Sequence, residues 1–195
     1  QVLLGVMASM YAVYHGPEGL KNIALNTHRL TNVFAKALKN KGYKVLNDNF
    51  FDTITLEMSE PEYKSVTKKA LDQQMNLGRL KNGQLTISFD ETITENDLAS
   101  LCEAFGCKMD STEAQTQLPN EYLRSGPCLS HPIFSKHHSE TEMLRYIHKL
   151  EKKDLSLNQS MIPLGSCTMK LNATSEMMPV TWPEFGNIHP FAPLD

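Results

Sequence analysis

The sequence predicts an α+β fold, and three observations carry that prediction. Residues 17–42 hold one long helical stripe, two short β-type stretches follow it, and Asn82-Gly83 between two apolar runs signals a hairpin. The order across residues 17–107 reads α-β-β-α-β-β-α, a compact domain of helices against a sheet.

Residues 2–14 put apolar side chains on nearly every face, as a buried helix packed on all sides does, and Gly16-Pro17 breaks the run. It is too short to span a bilayer and lacks the basic start and cleavage site of a signal peptide. Pro17 suits the first turn of a new helix. Leu20, Ile23, Ala24, Thr27, Leu30, Phe34, Ala37 and Leu38 then repeat at helical spacing. Lys36, Lys39 and Lys41 favour the negative pole of that helix, and Gly42 caps it. Tyr43-Lys44-Val45-Leu46 and residues 50–57 read as strands, the second alternating through Phe51, Thr53, Thr55 and Glu57. Pro61 starts a helix to about Gln74, with Tyr63, Val66, Ala70 and Leu71 on one side. Residues 77–80 and 85–89 are the hairpin strands. Thr94-x-x-Asp97 forms a capping box with the shorter acid, ahead of Leu98, Leu101, Cys102 and Phe105.

Residues 108–138 are a linker rich in Pro, Gly and polar residues. Ser139-x-x-Glu142 opens a helix whose apolar side is Leu144, Ile147 and Leu150 and whose charges oppose the dipole at both ends. Beyond Asp154 the chain is expected to be extended and turn-rich, with little to pack against itself. The domain reading is therefore residues 1–16, 17–107, 108–138 and 139–195.

Composition sets the class. The 195 residues are 41% hydrophobic and 21% charged, enough apolar material for a core. Net charge is −3 with no basic tract, so neither nucleic acid nor an acidic membrane is indicated as a partner. The four cysteines, Cys102, Cys107, Cys128 and Cys167, follow no disulfide or zinc spacing, and a reducing compartment is expected. The chain opens at Gln1 and stops at Asp195 after Pro190 and Pro193, and both ends read as cuts inside a longer protein.

The densest chemistry lies in Ser160-Met161-Ile162-Pro163-Leu164-Gly165-Ser166-Cys167-Thr168-Met169-Lys170-Leu171-Asn172. Polar heads interleave with apolar residues, the pattern of a loop pressed against protein while its heads face hydrogen-bonding partners. A satisfied structural turn is the plainer reading of the same residues. No dinucleotide, P-loop or zinc-protease motif is present. His137 and His138 are adjacent on an extended chain and point apart, so no metal site is expected of them. Cys102 falls on the apolar stripe of its helix and reads as core. Cys167 is the one thiol with an active-site address.

The run at residues 162–172 resembles a signature of the P-protein family of the glycine cleavage system. So do Trp182-Pro183-Glu184-Phe185-Gly186-Asn187-Ile188-His189-Pro190-Phe191, His138-Ser139-Glu140-Thr141-Glu142, Phe50-Phe51-Asp52-Thr53, Ser88-Phe89-Asp90-Glu91-Thr92 and Ala12-Val13-Tyr14-His15-Gly16. Resemblance covers nearly the whole chain except about residues 108–127. It implies the small C-terminal-type domain of a fold-type-I pyridoxal phosphate enzyme, at the end of the first of two homologous halves. A helix and an extended active-site segment from the start of the second half would follow. The residue 1–16 helix would belong to a preceding large domain that is absent here.

The resemblance further implies a pyridoxal phosphate-dependent glycine decarboxylase, an oxidoreductase of glycine catabolism. It releases carbon dioxide from glycine and passes the aminomethyl group to the lipoyl arm of the H-protein. A homodimer or a dimer of the homologous halves is implied, in the cytoplasm of a bacterium or the mitochondrial matrix of a eukaryote. Ser166, Cys167, Thr168, Lys170, Asn172 and His189 are the candidate active-site lining. The family's cofactor lysine follows a histidine and precedes a glycine-rich turn beyond this loop. Lys170 is not in that context, and His148-Lys149 lies on the capped helix, so the piece alone is expected to be inactive and to bind no cofactor. A non-catalytic α+β binding module and a fragment of another enzyme of the same fold are the competing readings. The 162–172 loop together with residues 182–191 favours the first.

Overall fold

In the computed structural model of this chain, residues 2–80, 82–109, 118–156, 159, 161, 173–189 and 191–192 are described. The chain divides into two compact units, His15–Phe134 and a discontinuous one made of Gln1–Tyr14 with Ser135–Asp195.

The larger unit is α+β. Helix α1 runs Val2–Lys41 and is broken at Gly16, whose φ of 64° and ψ of −177° lie outside helical space. Glycine takes that conformation without a Cβ penalty, and the break leaves Pro17 in a first turn where its missing N–H costs nothing. After α1 come β1 (Lys44–Val45), β2 (Thr53–Glu57), α2 (Glu60–Asp72), β3 (Gly78–Arg79), β4 (Leu85–Ser88) and α3 (Glu95–Phe105). This is the α-β-β-α-β-β-α order that the sequence predicts. The strands form a four-stranded antiparallel sheet in the order β1-β2-β4-β3.

The part of α1 after the break supplies one wall of the core. Leu30, Phe34, Ala37 and Leu38 are buried there, as the stripe requires. They join Ile54 and Leu56 of β2, Leu85 and Ile87 of β4, Val66 and Ala70 of α2, and Leu98, Leu101, Cys102 and Phe105 of α3. Phe34 lies 5.8 Å from Phe89 and meets Phe105 edge-on at 5.4 Å, so one ring ties the helix to the sheet end and to α3.

Helices α1 and α3 end by the same device. At α1, Gly42 is left-handed at φ 99°, its N–H donates to the Lys39 carbonyl, and the Tyr43 N–H donates to the Leu38 carbonyl. At α3, Gly106 at φ 62° donates to Glu103 and Cys107 to Cys102. Each is the paired six-to-one and five-to-two closure that satisfies the last orphan carbonyls. At the start of α3, the Asp97 carboxylate accepts from the Thr94 hydroxyl at 2.6 Å and N–H at 2.8 Å, while the Asp97 N–H donates to the Thr94 hydroxyl at 3.3 Å. The capping box with the shorter acid is therefore formed. At α2 the Glu62 carboxylate accepts from the Ser59 hydroxyl and N–H.

Several expectations are corrected. Strand β2 begins at Thr53, not at residue 50: the bond from the Phe89 N–H to the Asp52 carbonyl is the end of the β2–β4 ladder, and the Phe51 carbonyl before it is taken by His28. Leu71 does not share the buried side of α2; it is 62% exposed, beyond the arc that Val66 and Ala70 turn to the core. The hairpin connection closes with Leu80 N–H to the Gln84 carbonyl and Gly83 N–H to the Leu80 carbonyl, with Gly83 at φ 83°. The hairpin that Asn82-Gly83 signals is thus formed, with Gly83 at the left-handed position of its connection.

The second unit begins with the part of α1 before the break. Its α1 residues are helical, but Leu3 is 70% exposed, and Val2, Leu4, Val6 and Met7 are exposed as well. The expected all-round burial is absent because no described residue of this chain covers those side chains. Helix α4 (Glu140–Glu151) starts where expected, with the Glu142 N–H donating to the Ser139 hydroxyl at 3.3 Å. Its Leu144 and Ile147 are exposed. Residues 173–187 are not extended. They form α5 (Thr174–Met177), a 3-10 turn (Met178–Thr181) and α6 (Pro183–Gly186). Pro179 and Pro183 each sit in a first turn, where proline is pre-set for helix. Two further 3-10 turns, Asn120–Tyr122 and Pro132–Ser135, follow α3.

Two measurements check this architecture. Phe34→Ala should cost about 3–5 kcal/mol in urea unfolding of the chain, since the ring is fully buried. Leu71→Ala should stay within about 0.5 kcal/mol. The caps add a pH dependence. The Thr94 hydroxyl and then its N–H hold the Asp97 carboxyl below its ordinary range, and Ser59 does the same to Glu62. A carboxyl depressed by folding adds stability above its unfolded value, about 3.9–4.3, and that stability is lost as pH falls through the folded value. The melting temperature should therefore decline below about pH 4, and decline less in an Asp97→Asn, Glu62→Gln double variant.

Candidate functional site

The 162–172 loop, with the candidate residues Ser166, Cys167, Thr168, Lys170 and Asn172, lies outside the described residues. His189 is described. It is exposed, its Nδ1 accepts the Phe191 N–H at 3.0 Å, and its ring lies 5.8 Å from that of Phe191. An Nδ1 that accepts leaves the proton of the neutral ring on Nε2.

Within the larger unit the fold brings together two of the stretches that carry the family resemblance. Thr53 and Ser88 are register partners across β2 and β4, and their hydroxyls lie 2.9 Å apart. The Phe89 N–H donates to the Asp52 carbonyl at 3.0 Å, and the Thr53 hydroxyl donates to the Asp52 carboxylate at 2.9 Å. Just beyond β4, the Asp90 carboxylate accepts both the N–H and the hydroxyl of Thr92, a tight turn leading into the α3 cap. Residues 50–53 and 88–92 are thus one junction at a single end of the sheet.

Helix α1 locks that junction from beneath with residues that sequence reading missed. His28 and Asn32 are buried polar side chains one helical turn apart. The His28 Nδ1–H donates to the Phe51 carbonyl at 2.8 Å, and the imidazole stacks on the Phe51 ring with centroids 5.7 Å apart. The Asn32 amide donates one hydrogen to His28 Nε2 at 2.8 Å and the other to the His28 carbonyl at 2.9 Å. This orientation is the self-consistent one. A carbonyl can only accept, so Nδ1 carries the proton and Nε2 must receive one. Asn32 Oδ1 is left buried without a partner among the described residues.

Both ring nitrogens of His28 are occupied, so this cluster positions the 50–53 stretch rather than moving protons. The legible signal was a histidine and an asparagine four apart on the face carrying Thr27, Thr31 and Leu30. Thr27 and Thr31 return their hydroxyls to carbonyls one turn earlier and need no outside partner.

The other singled-out residues separate. His137 stacks on Tyr146 at 4.5 Å, while the His138 Nδ1–H donates to the Tyr14 carbonyl at 2.7 Å. The two point to different partners, as adjacent residues on an extended chain should. Among the described residues no group of His, Cys, Asp and Glu could hold a metal ion. Lys149 lies on α4, and every described lysine is exposed. A pyridoxal phosphate site needs an enclosed lysine, so the described residues do not fit that group. Among the described residues no helix is long and apolar enough to cross a membrane.

Comparison with known proteins adds the following. A family model described as "Glycine cleavage system P-protein" matches residues 1–105. The chain is 53% identical over 203 residues to "Glycine dehydrogenase (decarboxylating) 2" of Pseudomonas fluorescens (strain Pf0-1), across 100% of this chain and 21% of that protein. It is 53% identical over 201 residues to "Glycine dehydrogenase (decarboxylating)" of Synechocystis sp. (strain ATCC 27184 / PCC 6803 / Kazusa), across 99% of this chain and 20% of that protein. With the protein of that name from Paraburkholderia xenovorans (strain LB400) it shares 51% over 209 residues, across 21% of the relative. The chain therefore spans about a fifth of the length of the curated relatives it matches.

The His28–Asn32 pair makes a stability prediction. Asn32→Ala strips His28 Nε2 of its donor inside the protein and should cost about 1–3 kcal/mol in urea unfolding. In a nitrogen-15 NMR spectrum of the folded wild-type chain, the His28 signals should be those of the Nδ1-protonated tautomer.

Proposed function

The chain belongs to the glycine cleavage system P-protein family, and from that membership we propose that it is one segment of a pyridoxal phosphate-dependent glycine decarboxylase. The carrying observation is identity of 53% along the whole chain to glycine dehydrogenases (decarboxylating). The whole protein takes glycine, releases its carboxylate as carbon dioxide and passes the aminomethyl group to the lipoylated H-protein. It works as a dimer of subunits or of homologous halves. The relatives are bacterial, which favours the cytoplasm.

In this reading residues 17–107 are the small domain of a fold-type-I architecture, residues 108–138 the linker, and residues 139–195 the start of the second half. The large domain, outside this chain, contributes the cofactor lysine and the cradle for the cofactor. Pyridoxal phosphate, when bound there, supplies the electron sink for loss of the carboxylate.

The contribution of this chain is a wall of polar heads. Ser166, Thr168, Lys170 and Asn172 can donate hydrogen bonds to the glycine carboxylate before it leaves, with Cys167 and His189 lining the same mouth. The apolar residues between them pack the loop against protein and keep water away. The exposure of Leu3, Leu144 and Phe191 supports the reading of a segment that docks onto more protein.

A substitution in the whole protein tests the site. Lys170→Met keeps most of the aliphatic stem and removes the charge. If Lys170 holds the departing carboxylate, one lost charge-assisted contact costs about 1.5–3 kcal/mol, roughly ten- to a hundredfold in glycine–bicarbonate exchange. Lys39→Met, at an exposed position near the end of α1, should leave exchange unchanged. Normal exchange in Lys170→Met, or a loss matched by lost folded protein, assigns the loop a structural role instead.

A further inference from the structure

The C-terminal cap of α3 holds two thiols that the proposed reaction does not use. In its six-to-one closure the Cys107 N–H donates to the Cys102 carbonyl at 2.9 Å, with left-handed Gly106 between them. That motif folds the residue two beyond the cap back over the residue three before it, where a pair of apolar side chains usually meets. Here the pair is Cys102 and Cys107, both buried and both free thiols. The Cys107 Sγ–H reaches the Cys102 carbonyl at 3.4 Å. At α1 the same motif brings Leu38 and Tyr43 together, so the meeting of side chains follows from the backbone and not from the thiols.

We propose that Cys102 and Cys107 are a redox-convertible pair that closes to an intrachain disulfide in exchange with a small-molecule disulfide. The backbone hydrogen bond and the 3.4 Å approach of the Cys107 Sγ to the Cys102 carbonyl already hold the two residues against each other. The pair is also asymmetric. A hydrogen bond from Cys102 holds the Cys107 thiol below its ordinary value against the opposing effect of burial, helped by a backbone N–H and by the Lys41 ammonium. Cys102, which donates that bond and is itself buried, is pushed up. Cys107 is the outer residue, 9% exposed against 3% for Cys102. Cys107 is thus the attacking sulfur and Cys102 the resolving one.

The step balances. The Cys107 thiolate attacks one sulfur of the small disulfide, whose S–S bond breaks and releases one thiolate. That thiolate takes the Cys102 proton, and the Cys102 sulfur then attacks Cys107, expelling the second small thiolate, which is protonated by solvent. Two protein thiols lose two electrons, and the small disulfide gains them as two thiols.

Trypsin tests this directly, because Lys81 and Lys108 bound a stretch with no lysine or arginine between them, and one peptide carries both cysteines. The native full chain is incubated with oxidised glutathione, quenched with acid, alkylated and mapped by mass spectrometry without reductant. Exposed Cys128 serves as the internal reference for exchange. The expected result is a peptide lighter by two hydrogens and not alkylated, reversed by dithiothreitol. Cys102→Ala should instead retain one glutathione on Cys107, since nothing resolves the mixed disulfide. A wild-type peptide alkylated at both positions while Cys128 is fully converted overturns the proposal. So does a wild-type peptide that retains glutathione, and that measurement needs no variant to fold.

Discussion

Phe34 touches the sheet end and α3 at once, and the larger unit is organised around that contact. A helix packed on a small sheet buries one stripe, and the stripe of α1 supplies Leu30, Phe34 and Leu38. Full burial of such side chains stabilises by about 1.5–3 kcal/mol each, far more than any exposed ion pair in this chain. The Arg29–Glu95 and Arg79–Glu60 pairs sit at the periphery of that core and decide little. The geometry of the sheet follows from the same constraint. Ile54 and Leu56 alternate with Thr53 and Thr55, and the register pairing Thr53 with Ser88 sets them opposite Ile87 and Leu85 on the buried face, which a one-residue slip would undo.

That register has a second consequence, because it brings the family-like residues 50–53 and 88–92 side by side. His28 then anchors the first of them through the Phe51 carbonyl, and Asn32 fixes the ring. A buried polar network is costly when partly satisfied, and Asn32 Oδ1 has no partner among the described residues. What it does specify is the path of the chain between β1 and β2, where Asn47 also accepts the Thr55 N–H at 2.6 Å. The network fixes a loop that hydrophobic packing would leave free.

The fold was legible where periodicity and punctuation agreed. Gly42 and the Thr94–Asp97 box end and start helices where the apolar spacing changes. Reading failed where a side chain or carbonyl had a long-range partner. Nothing local in Phe50-Phe51-Asp52 says that the Phe51 carbonyl is claimed by a histidine 23 residues earlier. The short helices of residues 173–187 were hidden because proline signals a break, whereas Pro179 and Pro183 stand in first turns where the signal reverses. Of the candidate site, the four-residue spacing of His28 and Asn32 was there to read but carried little weight, because Asn32 is ordinary until its amide is seen against an imidazole. The 162–172 loop was legible only through resemblance, since its alternation of polar and apolar residues fits a plain turn equally well.

The exposed apolar side chains of the second unit follow a different logic from those of the first. Leu71 stands alone on α2, and a single exposed leucine needs no explanation. Val2, Leu3, Leu4, Val6 and Met7 cluster on one helical segment, and Leu144 and Ile147 share one face of α4. Met177, Met178, Val180, Trp182, Phe185 and Ile188 crowd fewer than fifteen consecutive positions. At about 1.5–3 kcal/mol for each side chain buried, covering a handful of these is worth as much as a small domain's entire net stability. Local structure alone does not call for such sequences. Helical capping and first-turn prolines would hold these segments equally well with polar residues on the same faces. Under the proposed function their apolar choice answers to contacts with further protein, the burden that a segment of a longer chain carries.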